Sequence, residues 1–229
     1  MPPSSRKVSE SAIRRLSIYL RVIERLGHVE GGTVSSQVLA ERAGTTAAQV
    51  RKDLSLFGSF GKRGLGYSAA SLMERLREIL GLSRRWRVAL VGAGRMGAAL
   101  FEYPHFRARG FEFVAVFDSD PRKIGKLWGA VTIQSADALE AELRACRAEI
   151  VIMTVPARSA QDVADAVVRA GVHGIMNLAP AQIKVPPSVR LNSVRLTVEL
   201  EALTFALQTD EDAHPAGSHR AEDAEGQNN

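Results

Sequence analysis

Three glycines occupy the spacing Gly92-x-Gly94-x-x-Gly97 within the stretch VALVGAGRMGAAL. An apolar run precedes them and a run of small residues follows, which is typical of a strand, a tight turn and a helix. In such a turn the first glycine bends the chain, the second lets the backbone approach a pyrophosphate, and the third lets the helix pack on the strand. The helix N-terminus then stabilises the negative charge of the phosphates. The spacing therefore predicts a dinucleotide cradle.

Asp118 ends the next predicted strand, FEFVAVFDSD, and follows Gly97 by 21 residues. A carboxylate near this distance is typical of the acid that accepts the hydroxyls of the adenosine ribose. Because it would repel a 2′-phosphate, it favours NADH and NAD+ over their phosphorylated forms. Arg122 and Lys123 lie nearby and leave that preference open, and Asp120 is a second polar contact or a helix cap. A Rossmann-like fold without a bound dinucleotide is the alternative interpretation.

Candidate strands and helices alternate beyond the cradle, which predicts βαβ units and a mostly parallel sheet. In such sheets the loops after the strands line the cofactor crevice. Two of those loops begin with TVP and NLAP, and they are expected near the nicotinamide through Thr154, Val155, Pro156, Asn177, Ala179 and Pro180. The expected strands cover 131–133, 150–156 and 172–180, and the expected helices cover 122–127, 136–146 and 158–170.

The first 82 residues carry a different pattern. Residues 9–26 have apolar side chains at helical spacing, which predicts one amphipathic helix. Shorter helices are predicted at 35–43 and 47–57, and Gly44 lies in the turn between them. In the helix predicted at 47–57, the basic side chains lie on the side opposite the apolar stripe. Two short helices with that arrangement are typical of a helix-turn-helix, although a charged face on an ordinary helical bundle is the alternative.

The segment 57–68, FGSFGKRGLGYS, predicts a β-hairpin with a basic tip, like the wing beside a recognition helix. A fourth helix is expected at 68–82. An arginine can reach the edge of a guanine through two hydrogen bonds, and a lysine can take a phosphate or a base. The residues predicted to contact DNA are Thr46, Gln49, Arg51, Lys52, Ser55, Lys62 and Arg63.

The net charge of the chain changes sign near residue 87, where the pattern of predicted elements also changes. Residues 1–87 have a net charge of +9 and residues 88–229 one of −4. A basic half attracts polyanions, of which nucleic acid is the commonest. A single cysteine, Cys146, and the lack of a long apolar run predict a cytoplasmic protein without a membrane span. Residues 209–229 have almost no apolar content and are expected to form a disordered acidic tail.

A dehydrogenase would need an acid or base and a substrate pocket. The candidates for the acid or base are Tyr103, His105, His173 and Lys184, and none lies in a catalytic motif. The predicted sheet ends near residue 197, which leaves too few residues for a substrate domain. We therefore expect no catalytic residue and no metal site. The alternative is an NAD-dependent oxidoreductase with an accessory basic domain.

Several segments taken together resemble the Rex family of bacterial redox-sensing transcriptional repressors. They are AAQVRKDLSLFGSFGKRGLGY, LVGAGRMGAAL followed by EYPHF, FDSDPRKIG, TVP and NLAP, and the resemblance covers roughly residues 8–208. It implies an α/β homodimer with a winged-helix domain and a Rossmann domain. A C-terminal helix of each subunit would be swapped between the two domains of its partner. The implied domains are 1–83 (winged helix), 84–197 (Rossmann), 198–208 (swapped helix) and 209–229 (tail).

The resemblance also implies a function. The dimer would bind an AT-rich inverted repeat in double-stranded DNA and sense the ratio of NADH to NAD+. Binding of NADH would close the dimer and release the operator. By position, Ala93, Arg95 and Met96 join the pyrophosphate loop, and Tyr103 lies beside the nicotinamide.

The implied switch contains one departure from the family pattern. Arg21 and Tyr103 match an arginine and a tyrosine that, in some members, exchange bonds with an aspartate. Arg195 stands at the matching position of that aspartate, and an arginine cannot accept a hydrogen bond. Either Glu199 or Glu201 supplies the missing acid, or the response to NADH is altered or absent.

Overall fold

The computed structural model describes residues 8–26, 32–58, 60–62 and 66–213. The described chain forms two compact units, one within 1–86 and 103–112 and the other within 87–102 and 113–229. The first unit therefore includes a segment, 103–112, that the sequence assigned to the second domain.

The helices are α1 (Glu10–Leu26), α2 (Ser36–Ala43), α3 (Ala47–Ser55), α4 (Ala69–Ile79), α5 (Arg95–Glu102), α6 (Pro104–Ala108), α7 (Leu139–Ala145), α8 (Ala160–Arg169) and α9 (Leu196–Ala213). The strands are β1 (Thr33–Val34), β2 (Gly61–Lys62), β3 (Gly66–Ser68), β4 (Trp86–Val91), β5 (Phe111–Asp118), β6 (Leu127–Trp128), β7 (Val131–Ser135), β8 (Ile150–Met153), β9 (Gly174–Asn177) and β10 (Arg190–Ser193).

The first unit is a helical bundle with a small antiparallel sheet. The α2–α3 turn forms as the sequence predicts, because Gly44 has a φ of 64° and ends α2 in the left-handed region. The predicted hairpin is present as β2 and β3, and β1 joins β3 on its other side. Arg63, at the predicted tip, lies outside the described residues. The core of this unit is formed by Leu16, Tyr19, Leu20, Leu39, Val50, Leu54, Leu72 and Leu76.

The second unit is built on a seven-stranded sheet in the order β10-β9-β8-β4-β5-β7-β6. The pairs β10–β9, β9–β8, β8–β4 and β5–β7 are parallel, and β6 pairs with β7 in the antiparallel direction. The chain moves outward from β4 through β5 and β7, then returns to place β8 on the other side of β4. This change of direction creates a crevice between β4 and β8, where ligands bind in open α/β sheets.

Several elements differ from the sequence expectations. The helix expected at 122–127 is absent, and turns lead there into β6. Gly125, with a φ of 86°, bends the chain so that its N–H donates to the carbonyl of Ile133 on β7. The edge strand β10 was missed because its sequence, RLNS, has little apolar content. Helix α9 is longer than expected, so 209–213 belongs to a helix rather than to a disordered tail.

Within the described ranges, no helix combines the length and apolarity that a membrane span requires. The same residues contain no group of three or more histidine, cysteine, aspartate or glutamate side chains placed to hold a metal ion.

Candidate functional site

The glycine loop lies at the crevice between β4 and β8. Gly92 has a φ of 104°, which favours glycine, and a Cβ there would lie 2.7 Å from the carbonyl oxygen of Thr154. A Cβ at Gly97 would collide with the carbonyl oxygen of Gly92. A Cβ at Gly94 would meet no atom within 4 Å. Packing within the protein thus explains two of the glycines, and the third leaves the backbone open to a close ligand, as a pyrophosphate cradle requires.

Thr154 holds the loop from the neighbouring strand. Its hydroxyl donates to the carbonyl oxygens of Gly92, at 2.8 Å, and Val91, at 3.3 Å. Its backbone N–H donates to Val91 at 2.9 Å. Val155 is half-buried and Pro156 is exposed directly after it. Thr154 therefore lies beside the glycine turn and positions it, and the predicted contacts of Thr154, Val155 and Pro156 with the dinucleotide stay predictions.

Asp118 is buried, with 8% of its surface exposed, and both of its carboxylate oxygens accept hydrogen bonds. One oxygen accepts from the N–H of Ala93 at 2.7 Å and from Lys123 Nζ at 2.9 Å, and the other accepts from the N–H of Asp120 at 2.8 Å. Burial alone would raise the pKa of Asp118, but these three donors together lower it below its usual value. An ionised carboxylate has about four acceptor positions, so a hydroxyl donor still fits.

The two cations next to Asp118 are themselves paired with carboxylates. Lys123 bonds Asp118, and Arg122 makes a two-pronged pair with Asp120 at 3.0 and 2.9 Å. The hydrogen bonds from Arg122 lower the pKa of Asp120 to about 2. These pairings occupy the charges that would otherwise attract a 2′-phosphate, which favours the unphosphorylated dinucleotide.

Asn177, at the end of β9, organises the turn that follows it. The side chain is 1% exposed, its amide nitrogen donates to the carbonyl of Ala181 and its oxygen accepts from the N–H of Ala179, both at 3.0 Å. The amide group is thus used inside the turn. Its predicted contact with the dinucleotide stays a prediction, and its observed role is to shape the loop that carries Ala179 and Pro180.

A cavity of about 480 Å³ lies beside this loop. It brings together Met96 at the start of α5 and the residues just before and within α9. Its lining is mainly apolar, with one guanidinium, and includes Met96, Leu178, Ala179, Pro180, Arg195 and Leu196. The structure therefore places the predicted switch residue Arg195 in the same cavity as three predicted dinucleotide contacts.

Tyr103 and Arg21 lie in the first unit. Tyr103 is 47% exposed, stacks on His105 with ring centroids 4.9 Å apart, and meets Phe106 edge-on at 5.4 Å. Arg21 is exposed on α1. The assignment of Tyr103 and Arg21 to a switch with Arg195 stays a prediction.

The helix α3 presents the predicted basic surface. Arg51, Lys52 and Ser55 are exposed, and Arg51 donates to the hydroxyl of Ser36 on α2 at 3.1 Å. Thr46 is the N-cap of α3 and accepts from the N–H of Gln49 at 3.1 Å. Lys62 lies on β2, in the hairpin. The cap function of Thr46 leaves its predicted contact with DNA untested.

A buried network behind this surface was not anticipated. Asp53 on α3 is 2% exposed and accepts from Arg15 Nε and Nη2 at 2.6 and 2.8 Å, from the Tyr19 hydroxyl at 2.9 Å and from Gln49 Nε2 at 2.7 Å. Burial raises the pKa of Asp53, but these bonds lower it by more, so the net shift is downward. Gln49 donates into this network and so helps to fix α3, and its predicted contact with DNA stays a prediction. The position of Asp53 beside the apolar stripe of α3 is the sequence feature that indicates a buried, paired carboxylate.

Comparison with known proteins matches both units. Residues 7–55 match the family described as putative DNA-binding protein N-terminus, and residues 83–181 match the CoA binding domain. The redox-sensing transcriptional repressor Rex of Carboxydothermus hydrogenoformans is 48% identical over 204 residues, which cover 89% of this chain and 98% of that protein. The repressor of the same name from Thermus thermophilus is 45% identical, with 88% of this chain and 94% of that protein covered.

Solved structures give the same result. RSP, a Rex-family repressor, has 35% identity and a TM-score of 0.82, with 90% of this chain and 97% of that chain covered. RSP in complex with β-NADH has 34% identity and a TM-score of 0.83, with 92% of this chain and 99% of that chain covered. RSP in complex with β-NAD+ and operator DNA has 34% identity and a TM-score of 0.85, with 95% of this chain and 100% of that chain covered.

Proposed function

The chain belongs to the Rex family of redox-sensing transcriptional repressors, and from that premise we propose how its parts divide the work. The second unit binds NADH and NAD+ at the glycine loop, and the first binds operator DNA through α3 and the β2–β3 hairpin. The structures of the related RSP with NADH, and with NAD+ and operator DNA, support both ligands. The observation that carries the proposal is the open backbone at Gly94, between two glycines that the protein itself requires.

The residues at the crevice fit a dinucleotide. The N-terminus of α5 and the loop around Gly94 would hold the pyrophosphate, and Asp118 would accept from the ribose. The apolar cavity beside Ala179 would take the nicotinamide. The reduced ring is uncharged and the oxidised ring is cationic, so an apolar cavity favours NADH. The guanidinium of Arg195 lines this cavity and disfavours the cationic ring further.

The switch requires a second copy of the chain. Two winged-helix units in a homodimer would read the two halves of an AT-rich inverted repeat, with their spacing set by the dimer. NADH can release the operator only if it binds the closed dimer better than the DNA-binding one. A function on DNA, together with a single cysteine, supports a cytoplasmic location. We propose no catalytic role, since the related proteins are named repressors.

The test is fluorescence anisotropy on a labelled inverted-repeat duplex. The full-length protein is bound to the duplex and titrated with NADH, then separately with NAD+. We expect NADH to release the DNA at concentrations at which NAD+ does not, without consumption of NADH. Steady turnover of NADH with a small carbonyl compound would instead support the oxidoreductase alternative.

Arg195 provides a second arm of this experiment. If the wild-type protein binds DNA but ignores NADH, Arg195→Asp restores the acid that the family pattern contains, and the variant should respond. If the wild type responds, Glu199→Gln and Glu201→Gln identify which carboxylate takes the place of the aspartate.

A further inference from the structure

The first unit contains a cavity of about 350 Å³ that is separate from the DNA-binding helix α3. Three helices contribute to it: the last two turns of α1, the last turn of α4, and α6 with the residue after it. Among the described residues, the charged or titratable side chains that line it are Arg21, Glu24, Arg25, Arg77, His105 and Arg109.

The charges of this lining do not balance. Glu24 lies between two guanidiniums, at 2.6 Å from Arg109 and 3.4 Å from Arg77. Arg21 and Arg25 make no ion pair or side-chain hydrogen bond with any residue that the structure describes. One carboxylate thus faces four guanidiniums, which gives these five groups a net charge of +3.

Arg77 supplies a second observation. Its Nε is shielded from solvent and has no hydrogen-bond partner within the described part of the chain. A buried donor without a partner is costly, and such donors are paired in the great majority of native structures. The donor belongs to the same guanidinium that reaches Glu24 from the cavity wall. Because Nε itself is shielded, an acceptor brought into the cavity by a ligand would pair with the accessible guanidiniums of the lining, Arg21 and Arg25.

The dipoles of the helices do not neutralise the excess positive charge of the cavity lining. Basic side chains are favourable near helix C-termini, each of which is equivalent to about half a negative charge. Three helices end at this cavity, and one of them, α6, has only 5 residues. Even at full strength these dipoles leave the lining positive, because four guanidiniums outweigh one carboxylate and about one and a half charges from the dipoles.

We propose that this cavity binds the phosphate group of a small molecule. A phosphate presents acceptor oxygens in several directions and carries up to two charges, which suits guanidiniums that arrive from three helices. A planar carboxylate would satisfy fewer of them. The site shares Arg21 with the implied switch, so its occupancy would couple a phosphorylated effector to the DNA-binding unit. The inference rests on the first unit and does not require the dinucleotide response.

The experiment follows phosphate binding by ³¹P NMR line width with the full-length protein in saturating NADH, which fills the glycine loop. Inorganic phosphate and glycerol 3-phosphate are titrated at constant ionic strength, and acetate is the control anion. We expect saturable binding of at least one phosphate compound. The stronger ligand of the two tells whether the site takes the free ion or an ester.

Two substitutions should act in opposite directions. Arg25→Ala removes a charged donor and should weaken phosphate binding about tenfold or more. Glu24→Gln removes the competing carboxylate and should strengthen it. The matched control is Arg14→Ala, also on α1, whose guanidinium pairs with Glu10 and does not line the cavity. A merely structural role of these residues would not give effects of opposite sign.

The proposal is overturned if phosphate does not saturate, if acetate competes equally, or if Arg25→Ala and Arg14→Ala bind phosphate alike. A change in DNA affinity with Arg25→Ala and no phosphate binding would also overturn it, and would assign the cavity to the nucleic acid. None of these results depends on whether NADH releases the operator.

Discussion

The glycines of the cradle are required for different physical reasons. Gly92 and Gly97 are constrained by atoms of the protein, because a Cβ at either would overlap a backbone carbonyl. Gly94 has no such neighbour, so we expect its constraint to come from the approach of the proposed dinucleotide. The two kinds of glycine can therefore be separated by the same substitution.

Gly94→Ala should leave the thermal stability of the protein within error and weaken NADH binding at least about tenfold, because the new methyl group occupies the space of the pyrophosphate. Gly97→Ala should destabilise the fold by about 1–3 kcal/mol, because the methyl group overpacks the contact between α5 and the loop. Calorimetric titration with NADH and thermal unfolding measure the two effects. Equal NADH affinity of Gly94→Ala and wild type would remove the main support for the cradle.

Arg51 is the residue of α3 from which we expect the sequence-selective contact. Arg51→Ala should cost about 1–3 kcal/mol of discrimination and so strongly reduce selective binding of the inverted repeat, with NADH affinity unchanged. Anisotropy with cognate and scrambled duplexes at several salt concentrations measures this effect. Arg14→Ala serves as the control for the loss of one surface charge. If Arg51→Ala still prefers the cognate duplex as strongly as wild type, α3 is not the recognition helix.

At the scale of elements, the network around Asp53 fixes α3 against α1. Arg15 and Tyr19 lie on α1, Gln49 and Asp53 on α3, and four donor atoms converge on one buried carboxylate. A recognition helix must hold its side chains at a fixed angle to the groove, and a buried, bidentate ion pair supplies such a constraint. The network therefore links the core of the first unit to the surface that we expect to read DNA.

Asp53→Asn should destabilise the first unit by about 3 kcal/mol at pH 7, since it leaves the Arg15 guanidinium without its partner. The folded state lowers the pKa of Asp53 below its unfolded value of about 3.9, so the bonds stabilise the fold above that pH. This stabilisation is lost as the pH falls through the lower, folded pKa. Denaturant unfolding of wild type and variant at pH 7, 5 and 3 should show a difference that is constant between the first two and smaller at the third. A difference independent of pH would contradict this account.

At the scale of the whole molecule, α9 is the element that the single chain leaves uncovered. Leu200, Leu203, Phe205 and Leu207 are 62%, 55%, 70% and 56% exposed. Leu200, Leu203 and Leu207 share one face of the helix at i, i+3 and i+7 spacing, and Phe205 lies on the opposite face, so one flat surface could not cover all four. Apolar exposure of this extent marks an interaction surface, and the dimer proposed above would bury it in a second copy.

Leu203→Lys combined with Phe205→Lys should convert the dimer to a monomer and weaken operator binding, because each charge would be buried in the interface. Light scattering coupled to gel filtration measures the mass, and anisotropy measures the DNA affinity. Gln208→Lys adds a charge to the same helix at a polar position and should remain dimeric. A doubly substituted protein that stays dimeric would show that α9 is not the dimer contact.

Local patterns in the sequence were enough to predict the cradle, the βαβ series, the two helices with their turn, and the hairpin. Each of these features is encoded within a few tens of residues, by apolar periodicity and by glycines at turns. The short strands β1, β6 and β10 were not predictable in the same way, because they become strands by pairing with a neighbour.

Only the tertiary structure decided which distant side chains meet. Arg15 reaches Asp53 across 38 positions, and Thr154 reaches Gly92 across 62. The cationic cavity joins residues of three helices that no local pattern connects. Such contacts depend on the angles at which elements pack, and these are set by the whole core rather than by any one segment. The sequence alone therefore predicted the kinds of site that we propose for this protein, and the packed fold determined which side chains lie together at them.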